Sequence, residues 1–252
     1  MTDAQVLNID GSTLKSVTLP AAFSEAVRPD LIARAVVAEN TRTLQPQAHY
    51  VLAGMQTTAR YYGAMNSYRT GRHMGIAIRP REKLGGGAQG KVKRIPSAVK
   101  GKRAHPHLVE KRIEERINAK EYQKAIRSAI AATKQPIVLS SNVESISRTK
   151  EVIKMLKSLK LDGEEIKGAK IRRKGIRRSS RQRRYGRSLL IVVDEDRGIA
   201  KAARNIPGID VCRVQSISVG ALAPGGRPGR KALWSEAALE KLDGEINSRR
   251  LS

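Results

Sequence analysis

Asp194, Glu195 and Asp196 stand in a row directly after the apolar run Leu189–Val193, where α/β enzymes often keep catalytic acids. Three carboxylates there could hold magnesium and activate water against a phosphodiester. Arg197 follows at once, however, and no second acidic cluster supports two-metal chemistry. Stabilising the first turn of a following helix explains these acids better. Gly85-Gly-Gly-Ala-Gln-Gly90-Lys91-Val92 comes within one residue of a phosphate-binding loop, but Val92 stands where Ser or Thr would meet magnesium. No buried strand precedes it and no helix pattern follows. Its bare backbone suits close approach to phosphates, with Lys91, Lys93 and Arg94 supplying charge. His105-Pro-His107 lacks further ligands nearby, Cys212 is the single cysteine, and no Ser/His/Asp or Cys/His constellation stands out. The residues predict neither an enzyme nor a metal or cofactor site.

What the chain does carry is concentrated charge. Of the net +26, residues 45–105 contribute +11, with twelve Lys/Arg against Glu82 alone, and residues 170–187 contribute +10 with no acid. The remaining 173 residues share +5. Two basic segments beside a nearly neutral body imply a polyanionic partner, and nucleic acid is the expected one. Anionic lipid would call for an amphipathic helix with large apolar anchors, which neither segment has. No apolar run approaches the ~18–20 residues that span a membrane, and Met1 to Asp10 lacks a secretory pattern. A reducing, cytoplasmic compartment is expected.

The elements that must position these charges follow from periodicity. Residues 5–19 read as a hairpin around Asp10-Gly11, and Pro29-Asp30 begins a helix over Leu31–Asn40. A second helix is expected after Pro106, carrying Val109, Ile113, Ile117, Tyr122, Ile126 and Ile130 up to Pro136. The apolar runs 136–139, 189–193 and 209–214 then alternate with helical stretches at 148–161 and 197–205, and a closing helix is expected over Trp234–Leu242. This alternation predicts an α/β fold: an open, mostly parallel sheet flanked by helices, with a long basic internal loop. The globular domain is assigned to 1–44 and 106–252, and the loop to 45–105. Loops beyond ~12–15 residues are unusual in compact domains, so this segment is expected to be an extension ordered by its partner. With about 30 residues out and 30 back, it would reach at most ~100 Å at ~3.3 Å per residue.

The residues expected to bind RNA phosphates in the loop are Arg60, Arg69, Arg72, Arg79, Arg81, Lys91, Lys93, Arg94, Lys100, Lys102 and Arg103. Arg172, Arg173, Arg177, Arg178, Arg181, Arg183 and Arg184 form a second expected contact, since that run leads straight into a strand. The glycine-rich stretch Pro224–Arg230 makes a third, through Arg227 and Arg230. Tyr61, Tyr62 and Tyr68 could stack on unpaired bases or pack locally.

Several ordered strings resemble one family. Thr70-Gly71-Arg72 is similar to its loop signature, and Gly101-Lys-Arg-Ala-His-Pro106 to the return from that loop. Residues 194–209, the string Leu222–Arg230 and Leu233-Trp234-Ser-Glu236 complete the resemblance, to the universal large-subunit ribosomal protein four family in its archaeal and eukaryotic branch. The resemblance implies a structural component of the large ribosomal subunit, bound to ribosomal RNA and to neighbouring ribosomal proteins. It also implies a loop tip near Arg69–Ile78 lining the nascent-peptide exit tunnel, with Arg72 and His73 facing the nascent polypeptide. Tyr61–Tyr68 replaces the tryptophan-bearing stretch common in the family. The lysine-rich C-terminal extension of eukaryotic members is missing after Ser252, which points to an archaeal protein. A magnesium-dependent nuclease using Asp194–Asp196 and a free RNA-binding regulator are the alternatives.

Overall fold

Every side chain of Leu189–Val193 is buried, and the strand divides them between two cores. Successive side chains leave a strand on opposite faces, so an unbroken apolar run is what a strand covered on both sides requires. Leu190 and Val192 enter one core with Val138 and Trp234; Leu189, Ile191 and Val193 enter the other with Leu139 and Leu233. The computed structural model describes residues 3–63, 75–84, 89–133, 136–161, 170–171 and 184–249.

In chain order the described elements are β1 (Asp3–Leu7), β2 (Thr13–Thr18), α1 (Pro29–Arg42), β3 (Arg81–Lys83), β4 (Gln89–Val92) and α2 (Ala119–Ala131). Then follow β5 (Ile137–Leu139), α3 (Thr149–Ser158), β6 (Lys170–Ile171), β7 (Arg184–Tyr185), β8 (Leu189–Val193), α4 (Ile199–Ala203) and β9 (Ile209–Arg213). The last are α5 (Val219–Leu222), β10 (Lys231–Ser235) and α6 (Glu236–Ser248). Two compact units emerge: residues 1–43 with 114–252, and residues 44–113.

The first unit is built on a six-stranded sheet in the order β2-β1-β5-β10-β8-β9, parallel except for the β1–β2 hairpin. It is the α/β, mostly parallel architecture predicted from the alternation of apolar runs and helices. Helices cover both faces because each has an apolar stripe to bury. On α2 the stripe is Tyr122, Ala125, Ile126, Ala129 and Ile130, spaced at helical period, and α1 (Ile32, Ala35, Val36) lies in the same core. Val152, Met155 and Leu156 of α3 join Ile199, Ala202 and Ala203 of α4 against the opposite face.

Two expectations are corrected. The helix predicted from just after Pro106 begins only at Ala119, behind Asn118. Val109 is exposed and only Ile117 of this spacing packs on the core, so the apolar period has no continuous surface to bury against before Ala119. The closing helix starts at Glu236 rather than Trp234, because Lys231–Ser235 is a strand inserted between β5 and β8. Trp234 pairs with Val138 on one side and Val192 on the other, and Phe23 meets its ring edge-on at 5.4 Å. Ser235 ends the strand and caps α6, its hydroxyl accepting from the Ala238 N–H.

One carboxylate ties three elements together. Glu39 of α1 accepts from the Tyr122 hydroxyl (2.7 Å) and from the Val219 and Gly220 N–H groups at the start of α5 (2.8 Å each). Burial, then the charge of Glu39, raises the Tyr122 phenol above its ordinary value. The folded state therefore holds this proton more tightly than the unfolded chain. Its stabilising contribution is complete below about pH 10 and is lost as the pH rises above it. Urea denaturation at a series of pH values should show the wild type losing stability more steeply than Tyr122→Phe above about pH 10; parallel profiles would contradict the linkage.

Candidate nucleic-acid interface

The unit 44–113 is held by backbone rather than by a core. Among its described residues Ala59 is the buried apolar side chain, whereas Tyr50, Val51, Ile78, Leu84, Val99 and Val109 are exposed. Its order comes from hydrogen-bonded turns and short pairings. Tyr50–Ala53 and Leu52–Met55 close successive turns, as do Ile95–Ala98 and Ala98–Gly101. The His49 N–H donates to the His107 carbonyl at 3.3 Å. Gly54, at φ +75°, packs so closely on this return that a Cβ would sit 2.3 Å from the Gly101 carbonyl oxygen. The sequence predicts an extension without regular structure. The described residues instead form a small antiparallel hairpin of β3 and β4, with Arg60 bridged to Arg81.

This hairpin gathers charge. Arg60 and Arg81 exchange both backbone hydrogen bonds at 3.2 Å, and the Lys93 N–H donates to the Pro80 carbonyl at 3.1 Å. A shallow cleft is lined by Arg60, Tyr61, Tyr62, Arg79, Arg81 and Lys83, among others. Lys83, absent from the expected contacts, holds its ammonium 4.1 Å from the Tyr62 ring centroid. The strand alternation Arg81-Glu82-Lys83 was the signal that could have found it.

Of the expected phosphate contacts, Arg60, Arg79, Lys91, Lys100, Lys102 and Arg103 are exposed. Arg81, Lys93 and Arg94 are half-buried, and the Arg94 guanidinium donates to the Ala59 carbonyl at 3.3 Å. Arg69, Arg72, His73, Arg172, Arg173, Arg177, Arg178, Arg181 and Arg183 lie outside the described residues. Arg184 pairs with Ile171 in the β6–β7 ladder. On the glycine-rich loop, Arg227 is exposed but Arg230 is not.

Arg230 is therefore corrected from a surface contact to an internal clip. Its side chain is 2% exposed, and it donates to the Ala221 carbonyl (2.6 Å), the Leu189 carbonyl (2.7 Å) and Asp210 Oδ2 (2.7 Å). Desolvation lowers its pKa, and the Asp210 carboxylate opposes that. A buried guanidinium fits only where such partners satisfy it.

The acids also have structural partners. Asp194 Oδ2 meets the Lys241 ammonium at 2.6 Å, and Glu195 pairs with Arg197 at 3.1 Å. Asp196 Oδ1 accepts from the Gly198 and Ala200 N–H groups, both at 3.1 Å, closing the first turn of α4. Among the described residues no three His, Cys, Asp or Glu side chains converge as a metal requires. No described helix is long and apolar enough to cross a membrane.

With this geometry in view, the profile of the ribosomal protein L4/L1 family matches residues 17–245. The chain is 37% identical over 258 residues to the large ribosomal subunit protein uL4 of Methanocaldococcus jannaschii, covering 95% of this chain and 97% of that one. It is 39% identical to the protein of the same name from Methanospirillum hungatei (96% and 99% covered) and 38% identical to that from Archaeoglobus fulgidus (95% and 97%).

Two substitutions separate the roles of the glycine-loop arginines. Arg230→Ala should cost about 1–3 kcal/mol in urea denaturation, because the Ala221 and Leu189 carbonyls lose their donor. Arg227→Ala should change stability by less than about 0.5 kcal/mol. In the basic unit, Gly54→Ala forces the backbone away from Gly101. Faster exchange of the 95–101 amides is the expected outcome, with unchanged exchange in β8; equal protection in both proteins would contradict the close packing.

Proposed function

Because the chain belongs to the ribosomal protein L4/L1 family, in its archaeal branch, we propose that it is a structural, non-catalytic constituent of the large ribosomal subunit. In this reading it binds large-subunit ribosomal RNA within the cytoplasmic ribosome and adjoins other ribosomal proteins. One observation carries the reading. Among its described residues the unit 44–113 concentrates exposed cations and buries only the apolar side chain of Ala59, so a partner that supplies countercharge would stabilise it.

RNA supplies that countercharge with a rigid array of phosphates. Arg60, Arg79, Lys91, Lys100, Lys102 and Arg103 engage it from the unit 44–113, and Arg227 from the glycine-rich loop. Arg172, Arg173, Arg177, Arg178, Arg181, Arg183 and Arg184 form a second basic contact by virtue of their charge. Arg69, Arg72 and His73 mark the tip that the family resemblance assigns to the exit tunnel, where Arg72 and His73 would meet the nascent polypeptide.

The protein should sediment with large subunits and intact ribosomes from a cell extract and resist a moderate salt wash; recovery only in light soluble fractions would favour a free regulator. With roughly six to ten phosphates neutralised, affinity of the purified protein for its ribosomal RNA should fall about 10³–10⁵-fold between 50 and 200 mM salt. A flat salt response would overturn the electrostatic basis of the reading.

A further inference from the structure

The cleft on the basic hairpin combines two features that phosphate neutralisation alone does not require. It is lined by cations, Arg60, Arg79, Arg81 and Lys83, and by two adjacent tyrosines that remain 38% and 43% exposed. Bulky aromatic side chains on a protein surface normally find apolar cover, and these line a shallow, mostly cationic cleft instead. An exposed ring beside clustered cations offers a stacking face to an unpaired base, whereas a paired base keeps its faces within the helix.

Backbone geometry fixes this combination. The Arg60–Arg81 bridge sets the Arg60-Tyr61-Tyr62 segment antiparallel to β3, so that guanidinium groups from two neighbouring strands flank the same opening. Two of these cations are partly tethered: Arg79 donates to Ser97 Oγ and Arg81 to the Ala77 carbonyl, each at 3.3 Å. Long hydrogen bonds of this kind orient a guanidinium while leaving donors for a phosphate. Lys83 lies over one face of the Tyr62 ring, which leaves the other face for a base. Glu82 is the single acid in the lining.

We infer that this surface seats one unpaired nucleotide of RNA, its base stacked on the exposed face of Tyr61 or Tyr62 and its phosphate held by the surrounding arginines. Every base has a π face, so the seat selects single-stranded over paired RNA rather than a particular sequence. The inference rests on the RNA-binding reading above and adds the kind of nucleotide that this part of the surface takes.

The test uses the full chain, a short oligouridylate and an RNA duplex of equal length, with binding followed by fluorescence anisotropy. Tyr61→Ala combined with Tyr62→Ala should weaken binding of the single strand by about tenfold and leave the duplex unchanged. Replacing both tyrosines with Phe should retain binding, since the ring is kept, whereas Tyr62→Leu alone should already lose part of it. Equal losses for single strand and duplex, or none for either, would overturn the seat while leaving RNA binding intact. A parent protein that binds neither RNA would overturn the proposed function and this seat together.

Discussion

Mutual repulsion among unneutralised cations is the constraint on which the basic unit depends. Residues 45–105 carry a net +11, and among the described residues Ala59 is the apolar side chain they bury. Such a segment gains little from hydrophobic burial and loses free energy to self-repulsion. Backbone turns, the Gly54–Gly101 contact and a three-residue hairpin strand give it a shape without giving it a core. A polyanion reverses the sign of the electrostatic term. In the proposed RNA-bound state, exposed cations and exposed tyrosines, costly in isolation, would become contacts.

The other unit solves the opposite problem. Its sheet buries both faces, and the apolar side chains of β5, β8 and β10 interlock around Trp234. Polar groups drawn into this interior are matched to partners. Glu39 receives three donors, Arg230 donates to two carbonyls and Asp210, and the buried Glu144 accepts from the Asp194 N–H and the Ser235 hydroxyl. Each joins elements distant in sequence, so each fixes geometry that apolar contact alone leaves loose. The same economy explains the acid row after β8: Asp194, Glu195 and Asp196 answer a lysine, an arginine and two backbone amides.

Much of this was legible in the chain itself. The β-hairpin around Asp10-Gly11, the α1 start at Pro29, the strands at 137–139 and 189–193 and the edge strand at 209–213 follow from turn chemistry and short apolar runs. The helix over 109–117 was misread because helical spacing of Val109, Ile113 and Ile117 carries no information about whether a core exists opposite them. Strand β10 was missed because its few apolar residues run directly into the helix that Ser235 caps.

By itself the sequence determined the class of fold, the location of positive charge and the class of partner that such charge demands, because apolar periodicity and net charge are local properties. Which arginine faces outward was a tertiary decision. Arg227 and Arg230 sit three residues apart in one glycine-rich stretch, yet one is exposed and the other lies in the interior. The difference arises because folding brings the Leu189 and Ala221 carbonyls and the Asp210 carboxylate around a single guanidinium, and a side chain's solvation is set by what the fold places next to it.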